Sequence, residues 1–182
     1  HWLDIVRFAE SNGYAFDGDR PHAWHYRDFV ISALNSDMPY DQFVRLQIAG
    51  DLLTDLDIRT TQQAKAAVGT VAATGFLMAG PFTTQQTQKE RERSRYEQLD
   101  DVAGTIGTAM LGLTVGCARC HDHKFDPLPN RDYYRQTAAF AETGFQDFDY
   151  DPDPAATKAA KDKFDLSLIH ISAPTRRNAI SY

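Results

Sequence analysis

Cys117-Ala118-Arg119-Cys120-His121 gathers both cysteines of the chain and one of its six histidines into five residues. Two thiols three apart, followed at once by an imidazole, form the attachment sequence for c-type haem. Each sulfur can add to one vinyl group, and the histidine stands ready to ligate iron. One helical turn after Cys117 returns Cys120 to the same side. On this reading Cys117 and Cys120 are the covalent attachment points for haem c, and His121 is the proximal ligand.

The same atoms admit other chemistry. With His123 they offer four donors to a metal ion, His121 and His123 being the imidazole ligands, although zinc sites usually draw their pairs from separated segments. The cysteine spacing also suits thiol–disulfide exchange, yet no strand–turn–helix pattern precedes it. If the cysteines merely bridge, the chain reads as a hydrolase-associated or carbohydrate-interacting domain. Around the block, His123 and Lys124 are candidate hydrogen-bond donors to a haem propionate, and Asp122 is a candidate acceptor orienting an imidazole. Arg20 and Arg27 are candidate partners for a propionate or other carboxylate. Met38, Met78, Met110, His22 and His25 are the candidate second axial ligands, Met110 being poorly placed because it lies on the segment that leads into the block. A five-coordinate iron is equally compatible. Asp17, Asp19, Asp51, Asp100 and Asp101 show no spacing that singles out an acid and a base. No phosphate-binding glycine pattern or Ser/His/Asp set is present.

The elements that must position these residues read as helices. The expected class is mainly α: an irregular multi-helix domain with long loops and little or no sheet. Trp2, Ile5, Val6 and Ala9 share a face of a first helix that ends before Asn12-Gly13. A loop runs from Gly13 to Pro21. A second helix begins near Pro21 or His22 and stops at Asn35-Ser36-Asp37, and Pro39 suits the first position of a third that ends at Gly50. A fourth starts at Thr60 or Thr61 and continues to Leu77, before Gly80-Pro81. After a polar connection from Thr83 to Gln88, Leu99, Val102, Ile106, Met110 and Leu113 recur at helical spacing. Gly104, Gly107 and Gly112 on that segment point to close packing against a neighbour or a planar ligand. Asn130 is the expected cap of a last helix bearing Tyr133, Tyr134 and Phe140.

Composition bounds the rest. A chain of 182 residues with 42% hydrophobic and 12% aromatic content can bury a core. Its net charge of −6 offers no footprint for nucleic acid. No apolar run approaches the roughly 18 residues of a membrane helix. The expected organisation is a helical domain over 1–146 lacking its natural start, an acidic and charged extension over 147–165, and a tail over 166–182. That tail, with Leu166-Ser167-Leu168-Ile169-His170, resembles translated sequencing adapter and is set aside, His170 with it.

Several blocks then resemble one family. They are Arg7-Phe8-Ala9-Glu10-Ser11 with Gly13-Tyr14, Asp19-Arg20-Pro21 with Trp24 and Tyr26-Arg27-Asp28, Gln47 through Asp51, Ala73-Thr74-Gly75-Phe76, and Leu99-Asp100-Asp101-Val102. The most specific is the run from Leu111 through Cys117 and His121 to Pro127. Together, over about residues 1 to 145, they resemble the cytochrome-like domain of uncharacterised function of planctomycete and related bacterial multidomain proteins. There it usually lies between an N-terminal cytochrome c module and a C-terminal planctomycete-specific domain. The resemblance implies an exported or periplasmic, mostly helical domain, classed as cytochrome-like, whose reaction is not established. The Cys117–His121 block is what points to an electron-transfer or redox role. Its partners would be the other domains of its polypeptide and a redox protein.

Overall fold

The computed structural model describes residues 1–14, 18–53, 61–83, 87–144 and 153–167. Residues 15–17 with Asp17, 54–60, 84–86, 145–152, which include the start of the acidic extension, and 168–182, with His170, lie outside them. The described residues form eight α-helices, α1 Trp2–Ile5, α2 Trp24–Asn35, α3 Tyr40–Ala49, α4 Thr61–Ala73, α5 Gly75–Met78, α6 Gln88–Ile106, α7 Asn130–Ala139 and α8 Pro154–Ser167. A π-helical turn, Gly107–Leu111, and a 3₁₀ helix, Val115–Arg119, lie between α6 and α7. Extended pairing among the described residues is confined to one bridge, Ser11 to Asp19, which closes the loop before α2. The mainly helical class expected from periodicity is the observed one.

Two clusters of buried side chains organise the molecule. The first joins Val6, Tyr26, Phe29, Val30, Phe43, Phe76, Val102 and Ile106 from α1 through α6. Its rings pack in offset and edge-on pairs: Trp2 lies 5.0 Å from Phe43, and Phe29 5.8 Å from the same ring. A polar knot sits inside it. Tyr26 Oη donates to Gln47 Oε1 at 2.7 Å, and Trp2 Nε1 lies 3.1 Å from both oxygens. Gln47 Nε2 donates to the Phe43 carbonyl, so every polar atom of this buried amide has a partner. Burial pushes the Tyr26 phenol well above its ordinary range.

The second cluster is smaller and carries the cysteine–histidine block: Ala103, Val115, Ala118 and Tyr133, flanked by Leu113 and Leu128.

Three helices end differently from the sequence expectation, each for a tertiary reason. α1 stops at Ile5, short of the expected end before Asn12-Gly13. Arg7 turns into the left-handed region at φ 62°, and its guanidinium pairs with Asp101 of α6. The fourth helix divides at Thr74, whose hydroxyl donates to the Val71 carbonyl at 2.7 Å. At Gly75 a Cβ would stand 2.8 Å from Tyr26 Cβ, so α5 approaches α2 too closely for any other residue. The helical run expected to reach Leu113 changes character at Gly107, where the π turn begins, and Gly112 ends it at φ 66°. At the start of α6, within the stretch expected as a polar connection, Thr87 and Glu90 form a reciprocal capping box.

Candidate functional site

The 3₁₀ helix has three residues per turn, so its side chains fall on three faces. Val115 and Ala118 form the inner face, 1% and 0% exposed, against Ala103 and Tyr133. Cys117 and Cys120 form another face, both exposed as free thiols. Cys120 follows the last helical residue but keeps right-handed helical angles, φ −104° and ψ −31°, which preserves the register. Gly107 allows this seating, since a Cβ there would meet Val115 Cγ2 at 2.4 Å. Close packing was therefore the reason for one of the three glycines. Gly112 supplies a left-handed stop, and Gly104 faces open space.

Side-chain hydrogen bonds from α6 and α7 hold the turn. Arg119 Nη1 donates to Asp100 Oδ2 at 2.7 Å, and Tyr133 Oη donates to Asp100 Oδ1 at 2.6 Å. Burial first, then that bond to Asp100, raises the Tyr133 phenol; the Asp100 charge raises Arg119. Asn130 is the first residue of α7 and not its cap, the position before it being Pro129. Its amide Nδ2 instead donates to the carbonyls of Ala118 and Arg119 at 2.7 and 2.9 Å. Tyr134 Oη donates to the same Arg119 carbonyl. Asp122 Oδ1 accepts the Asn130 backbone N–H at 2.8 Å, placing a carboxylate at the start of α7.

The two histidines of the block are in opposite states. His121 is exposed, and its Nδ1 lies 2.8 Å from the Asp122 carbonyl. A carbonyl only accepts, so Nδ1 carries the proton and Nε2 presents a bare lone pair. His123 Nδ1 accepts the backbone N–H groups of Asp126 and Phe125, at 2.9 and 3.3 Å. With Nδ1 accepting, the ring proton is on Nε2, 2.8 Å from Thr114 Oγ1, and the Asp126 carboxylate stands 3.3 Å from Nδ1. Both nitrogens of His123 are engaged in tying the loop after the block to the residue before it. Asp122, expected to orient an imidazole, does so through its main-chain oxygen while its carboxylate anchors α7.

The other candidate residues sit as follows. Arg20 donates to Asn12 Oδ1 and to the carbonyls of Met78, Ala79 and Gly80, serving the end of α5, and burial lowers its pKa. Arg27 pairs with Glu10 and approaches Asp28. Lys124 is exposed, its ammonium 5.1 Å from the centre of the Phe125 ring. Met38, Met78 and Met110 pack against the first core. His25 stacks on Trp24 at 3.6 Å near the start of α2, with His22 6.3 Å from it. Burial, foremost, lowers the His25 pKa. Asp100 and Asn130 were the missed contributors. The sequence marked Asp100 as part of a family block and as a carboxylate with no identifiable catalytic partner, and Asn130 as a helix cap.

Exposed apolar side chains accompany the block: Leu111, Phe125 and Tyr134 are 60%, 83% and 55% exposed. Two depressions among the described residues lie away from Cys117–His121. One lies between Leu77, Gly80, Arg95, Asp101 and Phe140, and the other on the outer face of α2 around Ile31. The inner side of the turn is filled by Val115 and Ala118, so anything attached to the sulfurs lies on the open outer side. Among the described residues no group of three or more His, Cys, Asp and Glu side chains is placed to hold a metal ion. None of the described helices is long and apolar enough to cross a membrane.

No curated protein and no solved structure matches the chain. A family model does, PSCyt2, described as a protein of unknown function (DUF1549), over residues 1–145. With its helical scaffold and the single cysteine–histidine turn that α6 and α7 hold at the surface, the chain belongs to this PSCyt2 family, a planctomycete cytochrome-like domain of unknown function.

Proposed function

We propose that the domain carries a covalently attached haem c and serves electron transfer or redox sensing inside a larger exported protein. One observation carries the reading: two thiols share the outward face of a 3₁₀ helix, next to an imidazole whose Nε2 is bare and exposed. In attachment each S–H adds across a vinyl C=C, sulfur bonding one carbon and hydrogen the other, so neither oxidant nor reductant is needed. Cys117 and Cys120 would form the thioethers, and His121 Nε2 would ligate the iron. Bound haem supplies a one-electron couple whose potential follows its axial ligands and exposure. Lys124 is the basic side chain of the block left for a propionate, because Arg20 and Arg27 serve main-chain carbonyls and Glu10. With the methionines packed in the first core, the reading assigns the iron one ligand from this chain. Haem on the open side of the turn would be covered by a neighbouring domain or a redox partner. Attachment of haem and stable disulfides both belong outside the cytoplasm.

The filled inner side of the turn favours a second reading, a reversible Cys117–Cys120 disulfide. Mass spectrometry of the chain produced in an exporting host with haem c maturation separates the two. Haem adds the mass of one macrocycle, with a pyridine haemochrome spectrum, and Cys117→Ala with Cys120→Ala abolishes both. A colourless wild-type protein two hydrogens lighter than its dithiol overturns haem in favour of the disulfide.

A further inference from the structure

We infer that Asp122 and Asn130 are positioning residues that select which nitrogen His121 offers to a metal. A solvated histidine favours the tautomer protonated at Nε2, which hides the exposed nitrogen's lone pair. In this chain the contact of Nδ1 with the Asp122 carbonyl, 2.8 Å away, imposes the other tautomer.

A carbonyl one residue along makes that contact only while its peptide is held in orientation, and α7 holds it. Asp122 Oδ1 takes the backbone N–H of Asn130, a group that has no intrahelical acceptor at the first position of a helix. The same residue reaches the other flank of His121, its Nδ2 donating to the carbonyls of Ala118 and Arg119. Residue 130 thus grips the backbone on both sides of the imidazole. His123, two residues on, provides an internal contrast. Thr114 and two backbone N–H groups fix it as the Nε2–H tautomer, with no link to Asn130. Two histidines in one loop are held as opposite tautomers by separate sets of partners, one directed outward and one used as a strut.

The inference rests on the haem reading for the identity of the metal alone, and its test needs no metal. In the full chain labelled with ¹⁵N-histidine, long-range ¹H–¹⁵N spectra at about pH 8, where solvated imidazoles are neutral, report the tautomer of each ring. His121→Gln assigns the His121 signals. The expected result is Nδ1–H for His121 and Nε2–H for His123. Asp122→Ala should shift the His121 tautomer ratio roughly fivefold to tenfold towards Nε2–H, the effect of one hydrogen bond, and leave His123 unchanged. Asp122→Asn, which keeps an accepting oxygen, should restore the Nδ1–H form.

Should Asp122→Ala fail to fold, Asn130→Pro removes the same donor. Proline is tolerated at the first helical position, and Pro129 already has the φ −70°, ψ 153° that a residue before proline prefers. A wild-type His121 protonated at Nε2, or an unmoved His121 tautomer in a folded Asp122→Ala or Asn130→Pro chain, overturns the inference. Absence of haem from the mature protein would overturn the functional reading and leave these tautomers as measured.

Discussion

In the first core Phe76 is 1% exposed, Val6 0% and Gln47 0%, and rings from four helices, α1, α2, α3 and α5, interleave. At the block both cysteines, His121 and Lys124 face solvent, and only Val115 and Ala118 behind them are buried. The first region is held by apolar burial, with a polar knot satisfied inside it. The second is held by aimed hydrogen bonds: Asp100 to Arg119 and Tyr133, Asn130 to two carbonyls, Asp122 to α7. Burial is worth more per residue but is indifferent to the orientation of any one atom, whereas hydrogen bonds are modest in net energy and strict in geometry. The molecule therefore keeps its stability in one place and its geometric precision in another. Damage to the two regions should look different.

The largest effect is expected from Phe76→Ala. The ring lies within a closed cluster and 6.5 Å from Trp2, so its loss leaves a cavity that neighbours cannot fill without leaving their rotamers. A cost of about 3–5 kcal/mol is expected, measured as a shift of the urea midpoint at constant slope. For a domain of this size that is a large share of total stability, and the block should lose its order together with the core. A loss below about 1 kcal/mol would mean that the first cluster does not carry the fold.

Two glycines of one segment sharpen the contrast at intermediate scale. Gly107→Ala drives a methyl group into Val115, which is 1% exposed and can retreat only by moving the 3₁₀ helix. A cost of roughly 1–3 kcal/mol is expected, with slower intramolecular oxidation of Cys117 and Cys120 as their register is disturbed. Gly104→Ala meets nothing within 4 Å and lies in the interior of α6. It should stabilise the chain by roughly 0.5–1 kcal/mol through helix propensity and leave the thiols unaffected. Equal effects from the two substitutions would contradict the seating of the 3₁₀ helix on Gly107.

These glycines also show what a sequence carries. Their helical cost was legible, and so was the demand for close packing, but nothing local told Gly107 from Gly104. The Thr87–Glu90 box acts locally, but its residues read only as part of a polar connection. The end of α2 was legible because Asn35-Ser36-Asp37 acts within a few residues of itself. The end of α1 was not, since Arg7 leaves the helix to reach Asp101, 94 residues away. Arg20 reads from sequence as a cation seeking a carboxylate, whereas the fold spends it on carbonyls 58 to 60 residues distant. The cysteine–histidine block was legible because its chemistry is contiguous. What aims it was not, because Asp100 and Asn130 act through tertiary contacts, and an asparagine before a helical run is ordinarily read as a cap.

The smallest effect on stability is expected where the chemistry is most specific. Cys117→Ser with Cys120→Ser changes two exposed side chains that share a face with no buried neighbour, so the reduced, haem-free chain should lose no more than about 0.5 kcal/mol. Urea unfolding of the reduced wild type and the double variant measures it. A drop of several kcal/mol would place the sulfurs inside the packed part of the molecule and remove the division of labour drawn above. A neutral result has a positive content, because the turn, Arg119 and the α7 clamp all persist without the thiols. The pair is then free of any duty in folding, and its place on the outer face has to be explained by what the sulfurs bond to after the chain has folded.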